Sequence, residues 1–131
     1  MSIKKITTGL ALSMMLSSGV AVATDGNKLL EECQSVVNYM NDDSTFNPDF
    51  SRGMAFGTCF GIAEGVRNTM TMYSLVGTQD SPFRVCFPDD NIRNDQATRI
   101  ITSYLKKNPS DLHKNGSALA MLAFLEAFPC K

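Results

Sequence analysis

The 131-residue sequence contains no tryptophan, a single histidine, five prolines and no cysteine pair at C-x-x-C spacing. Each shortage closes off a class of protein. With one imidazole, His113, and no close cysteine pair, the donors for a zinc site are missing. No stretch holds the roughly 20 strongly apolar residues that a membrane span requires. Basic residues number 12 against 13 acids and form no cluster, so the charge that displaces counterions from nucleic acid is absent. No metal, no cofactor and no nucleic-acid partner is expected.

Present instead, at the N-terminus, is a three-part leader. Lys4 and Lys5 give a basic start, Ile6 to Val22 is small and apolar, and Ala21-Val22-Ala23 forms an A-x-A cleavage box. This predicts a signal peptide over residues 1–23, export, and a mature chain from Thr24 to Lys131 with no stable membrane insertion after cleavage. Removal of the leader takes two lysines and no acid. The remainder has ten basic and thirteen acidic side chains, a formal charge of −3. One domain, 24–131, is expected.

Four cysteines stay in the mature chain: Cys33, Cys59, Cys86 and Cys130. An even number in a short exported chain indicates two disulfides. Helical periodicity selects the pairing. Leu29, Leu30, Cys33, Val36, Val37 and Met40 mark a first helix over Lys28–Asn41, with Asp25 or Asn27 as cap and Glu31 and Glu32 in its early turns. A second helix runs from Ser51 to about Tyr73, after a loop of Asn, Asp, Ser and Pro. If these two helices are antiparallel, Cys33 and Cys59 lie at equal distances from the turn. A third helix starts at Asn94 or Asp95 and runs to Lys107, with Ala97, Ile100, Ile101, Tyr104 and Leu105 inward. Ser110–Lys114 adds at most one turn. The last helix covers Ser117–Phe128, with Ala118, Met121, Leu122, Leu125 and Phe128 as its core stripe. Antiparallel packing of these two brings Cys86 to Cys130. The expected pairs are therefore Cys33–Cys59 and Cys86–Cys130, in an all-α bundle of four to five helices.

Gly53, Gly57, Gly61 and Gly65 recur every fourth residue in the second helix. Each costs a helix about 1 kcal/mol relative to alanine. The spacing predicts a tight crossing with another helix of the same domain, which a Gly61→Leu change would overpack. Leu75–Asn91 is the longest irregular segment, and connections of that length are usually functional or disordered. No catalytic constellation is evident. The cysteines are accounted for as disulfides, His113 sits beside Lys114 in a polar link, Asp89-Asp90 reads as the capping region of the third helix, and Asp42-Asp43 as solvated loop. The chain is expected to act by binding and not as an enzyme.

Several segments together resemble a known family. They are Gly26-Asn27-Lys28-Leu29-Leu30-Glu31-Glu32-Cys33, Gly57-Thr58-Cys59-Phe60-Gly61-Ile62-Ala63-Glu64-Gly65-Val66 and Val85-Cys86-Phe87-Pro88. Gln96-Ala97 through Tyr104-Leu105, Asn108-Pro109, and Ala118 through Glu126-Ala127-Phe128-Pro129-Cys130 complete the set. In order and spacing the chain is similar to the Rap/Tai family, the type VI secretion amidase immunity proteins. Ile62 departs from the pattern, which usually has an aromatic there. The resemblance implies a periplasmic, helical homodimer that binds a papain-like peptidoglycan amidase effector and plugs its cleft with a loop. The alternative is a periplasmic stress or acid-protective chaperone-like protein. The loop assigned to the plug is Gly77–Arg84, with Gln79, Asp80, Ser81, Phe83 and Arg84 as partner-binding residues; the Asn41–Phe50 loop is the other candidate.

Overall fold

A computed structural model describes residues 23–42 and 49–131. The leader residues 1–22, most of the signal peptide, and the centre of the 42–50 loop lie outside the described residues. The described residues form four α-helices, α1 Gly26–Asn41, α2 Phe50–Val76, α3 Asn94–Lys107 and α4 Gly116–Ala127, with a 3-10 turn at Pro109–Asp111 between the last two. Among the described residues there is no strand, only two isolated bridges, Asp25 with Asn115 and Val85 with Pro129. The chain is an all-α bundle.

Local chemistry sets the helix ends. The Asp25 carboxylate accepts from Lys28 N at 2.9 Å, Asp49 from Arg52 N at 2.8 Å, and the Asn115 side chain from Ala118 N at 3.0 Å. Each satisfies one of the amide donors that a helix start leaves unpaired. Asp89 and Asp90 are not caps. They sit in the turn that Asn91 N closes onto Pro88 O at 2.8 Å, and α3 begins after Arg93 with no side-chain cap. At the other end of its range α2 runs three residues past Tyr73, leaving Leu75 and Val76 helical but exposed.

One core holds the bundle. Leu29, Cys33 and Val36 of α1 meet Cys59, Ala63 and Met70 of α2, Ala97, Ile101 and Leu105 of α3, and Leu119, Ala120, Ala123 and Phe124 of α4. Both disulfides form as the helix geometry requires, Cys33–Cys59 and Cys86–Cys130, and no cysteine is free. Of the stripes expected on α1 and α3, Leu29, Cys33, Val36, Ala97, Ile101 and Leu105 are buried, while Leu30, Val37, Met40, Ile100 and Tyr104 are half-buried and Glu32, Thr98 and Thr102 are buried beside them. The stripe on α4 is displaced. Leu119, Ala120, Ala123 and Phe124 face the core, while Ala118 and Leu122 are exposed and Met121, Leu125 and Phe128 are only partly covered. The helix is apolar nearly all round, so periodicity could not orient it.

The glycine series also lies elsewhere than expected. A Cβ placed at Gly53, Gly57, Gly61 or Gly65 meets nothing within 4 Å. Among the described residues no helix crosses there, because α2 buries the opposite stripe, Cys59, Ala63, Val66, Arg67 and Met70. The Cβ position of Gly61 is open, so a Gly61→Leu side chain does not meet the tight helix crossing expected there. The close approach occurs at Gly26 and Gly116. A Cβ at Gly26 would lie 2.9 Å from the Leu112 carbonyl oxygen, and one at Gly116 would lie 2.8 Å from that of Thr24. There the backbones interlock: Gly26 N donates to Lys114 O at 2.9 Å and Gly116 N to Thr24 O at 2.7 Å. These bonds fasten the start of α1 to the start of α4.

Candidate functional site

The loop after α2 is built from two consecutive turns. Gly77 N donates to Tyr73 O at 2.7 Å and ends the helix; Ser81 N then donates to Thr78 O at 3.2 Å, and Arg84 N to Ser81 O at 3.1 Å. Ser81 is the joint. Its hydroxyl lies 3.2 Å from the Tyr73 hydroxyl and accepts from Phe83 N at 3.3 Å. The Tyr73 and Phe83 rings meet edge to face with centroids 6.4 Å apart. Such contacts add about 0.5–1.5 kcal/mol beyond burial, and they fix the loop against the last turns of α2.

The exit of the loop is held more strongly. Ser74 Oγ donates to Val85 O at 3.0 Å, Cys86 N donates to Phe128 O at 3.0 Å, and Cys86 is bonded to Cys130. Phe87 packs edge to face on Phe124 and Phe128, at 5.6 and 5.3 Å. The segment is therefore anchored to α2 at one end and to the C-terminus of α4 at the other. Between the anchors, Thr78, Gln79, Asp80, Pro82 and Phe83 are exposed and Ser81 and Arg84 half-buried. All five residues named from sequence, Gln79, Asp80, Ser81, Phe83 and Arg84, fall on this one projection. Phe83 keeps half its surface exposed. It also borders a small apolar hollow of about 170 Å³ shared with Thr69, Met70, Tyr73 and Met121.

Sequence reading overlooked Arg67. It is buried on the inner face of α2, where Nη1 donates to Ile92 O at 2.6 Å and to Asn94 Oδ1 at 3.1 Å. It pins the far end of the long connection to α2, just before α3. The signal was available: Arg67 falls among Ala63, Val66 and Met70, the buried stripe of its own helix. Asn91, with φ of 59°, lies beside that anchor, a left-handed conformation that asparagine tolerates better than most residues.

Other sequence candidates stay apart. His113 is exposed, between the 3-10 turn and α4. Of the 42–50 loop only the margins, Asp42 and Asp49-Phe50, are described, and both are exposed. Among the described residues no group of His, Cys, Asp and Glu side chains gathers to hold a metal ion, and no helix is long and apolar enough to cross a membrane. What the loop can offer is a surface: a pre-shaped projection carrying an aromatic ring, an amide, a carboxylate, a hydroxyl and a guanidinium.

Comparison with known proteins gives one match. The model of the family described as Rap1a immunity proteins matches residues 25–130, nearly the whole described chain, and the protein belongs to that family. Neither a curated protein nor a solved structure matches it.

Proposed function

Starting from membership of the Rap1a immunity proteins, we propose that this protein neutralises a peptidoglycan amidase effector of type VI secretion by inserting the Gly77–Arg84 loop into its active-site cleft. The exported chain, beginning near Thr24, acts in the periplasm as a homodimer. The observation that carries this reading is the loop's construction: its tip is exposed while both its ends are tied down. A loop already held in shape loses little conformational entropy when it docks, so more of its contact energy appears as affinity. Occlusion needs no catalytic group on the inhibitor. A papain-like amidase has a Cys–His pair at the base of a groove. The mixed polar and aromatic chemistry of Gln79, Asp80, Ser81, Phe83 and Arg84 suits such a groove, aromatic and arginine side chains being frequent interface anchors.

The test replaces Asp80, Ser81 and Arg84 together by alanine. The triple variant is expected to keep its helical circular dichroism and lose at least about tenfold in affinity for the amidase that the native chain captures from periplasmic extract, a change of roughly 1.4 kcal/mol. Unchanged inhibition by the folded variant would exclude this loop as the plug and point to Asn41–Phe50.

A further inference from the structure

Among the described residues the outward face of α2 meets no partner. Besides the bare Gly57, Gly61 and Gly65, it carries large apolar side chains left in solvent: Phe50 is 86% exposed, Met54 55% and Met72 59%. At 3.6 residues per turn, Phe50, Met54 and Met72 all project within about 20° of the direction of Gly61. A groove of about 560 Å³ runs beside this strip, lined by Gly61, Gly65 and Thr69 of α2 and Ala118 and Met121 of α4. Monomeric proteins rarely leave contiguous apolar surface of this kind uncovered.

The order of residues along the strip indicates what covers it. Four residues either side of Gly61 stand Gly57 and Gly65; seven either side, Met54 and Asn68; eleven either side, Phe50 and Met72. The small residues are at the centre and the bulky ones at the ends, so the strip is close to its own mirror image in sequence. An antiparallel copy of α2 laid across it at Gly61 would therefore meet small with small. Gly57 would face the partner's Gly65, and Phe50 would point towards the partner's Met72. This is the self-complementarity that a two-fold interface demands. Glycines at every fourth position form the ridge-and-groove row along which helices cross most closely. The strip carries Glu64 and no lysine or arginine, which disfavours an anionic lipid surface as the occupant.

We infer that the α2 face centred on Gly61 is the surface through which two copies of this chain associate, crossing antiparallel with Gly61 on the two-fold axis. The inference rests on the homodimer in the proposed function and adds where that dimer is joined.

Residues on a two-fold axis meet their own copies, and others do not. A Gly61→Cys variant should form a disulfide-linked dimer on mild oxidation. Gly57→Cys alone should not, since its two copies would be about 12 Å apart along the helices, beyond the roughly 7 Å between Cα atoms that a disulfide tolerates. A mixture of Gly57→Cys and Gly65→Cys chains should cross-link. As a second measurement, Gly61→Glu, whose Cβ would meet nothing within 4 Å in the single chain, should keep the native helical spectrum and sediment as a monomer. A native dimer that Gly61→Cys fails to cross-link, or that survives Gly61→Glu, would overturn this interface while leaving the homodimer standing. A native chain that sediments as a monomer at tens of micromolar would remove both. Binding of native chains to phosphatidylglycerol vesicles, abolished by Gly61→Glu, would give the face to a membrane instead.

Discussion

The two disulfides do different jobs in the same small bundle. Cys33–Cys59 is wholly buried and its sulfurs are part of the core, touching the level of Thr98, whose hydroxyl oxygen lies 3.8 Å from Cys59 Sγ. Cys86–Cys130 lies at the surface, with Cys86 exposed and Cys130 half-buried, and closes a longer stretch of chain, 44 residues against 26. Chain entropy ranks the outer bridge first, at about 4 kcal/mol against about 3.5. Packing reverses that order, because loss of the inner bridge also opens the core. A staple's value thus depends on what fills the space around it as well as on the loop it closes.

The largest expected effect separates those two contributions. Replacing Cys33 and Cys59 by alanine should cost about 5 kcal/mol, the entropy of the loop plus the loss of buried sulfur contacts. The corresponding change at Cys86 and Cys130 should cost at most about 4 kcal/mol, yet lower effector affinity more, because it frees the exit of the Gly77–Arg84 loop. Denaturant melts of both variants, read with a binding assay, decide the matter. A larger stability loss at Cys86–Cys130 would mean that chain entropy alone governs.

A smaller effect sharpens the contrast within the loop. Tyr73→Phe keeps the ring against Phe83 but removes the hydroxyl contact with Ser81. The melt should move by about 1 kcal/mol or less. Hydrogen exchange should nonetheless quicken at Phe83 and Arg84 while the protection of Ile101 and Phe124 stays as it was, since local opening is independent of the core. Equal acceleration in both regions would show that loop and core open together.

The smallest effect belongs to Glu32, which is buried on α1 beside the inner disulfide. Burial holds its carboxyl above the usual value of 4.5, and Lys28, with Nζ 3.7 Å from Oε1, offsets this only in part. Among the described residues Oε2 finds no hydrogen-bond partner. The folded state thus holds this proton more tightly than the unfolded one. The group favours the fold while protonated, and that support is lost as pH rises from 4.5 through the raised value. Glu32→Gln should melt slightly above the native protein at pH 7, with the gap closing on acidification below 4.5. A gap that widened in acid would contradict the assignment.

Much of this architecture was legible in the sequence, and the parts that were not have specific causes. The core positions Leu29, Cys33 and Val36 of α1 and Ala97, Ile101 and Leu105 of α3 could be read because polar residues alternate with apolar ones at helical spacing. The stripe on α4 could not, since a helix with apolar side chains all round gives periodicity nothing to work on. Asp89-Asp90 looked like a cap because acids before a helix usually are; the turn closed by Asn91 onto Pro88 moved the helix start beyond their reach. That Gln79 to Arg84 lie in the long connection after α2 was legible from the turn-forming residues around them. Their joint at Ser81 was not, because it depends on Tyr73 approaching from the preceding helix.

The sequence by itself determined the all-α class, the approximate helix spans and the place of the long connection, because each follows from short-range spacing along the chain; the two disulfide pairs followed once neighbouring helices were taken as antiparallel. Tertiary structure alone decided the rest. Which glycines are closely approached by backbone within one chain, Gly26, Gly77 and Gly116 and not the periodic four, depends on how the elements meet. Whether Arg67 is solvated or anchors Ile92 and Asn94 depends on how α2 is rotated about its axis. Periodicity divides a helix into faces, but the partners that those faces meet are fixed only when all the helices share one core.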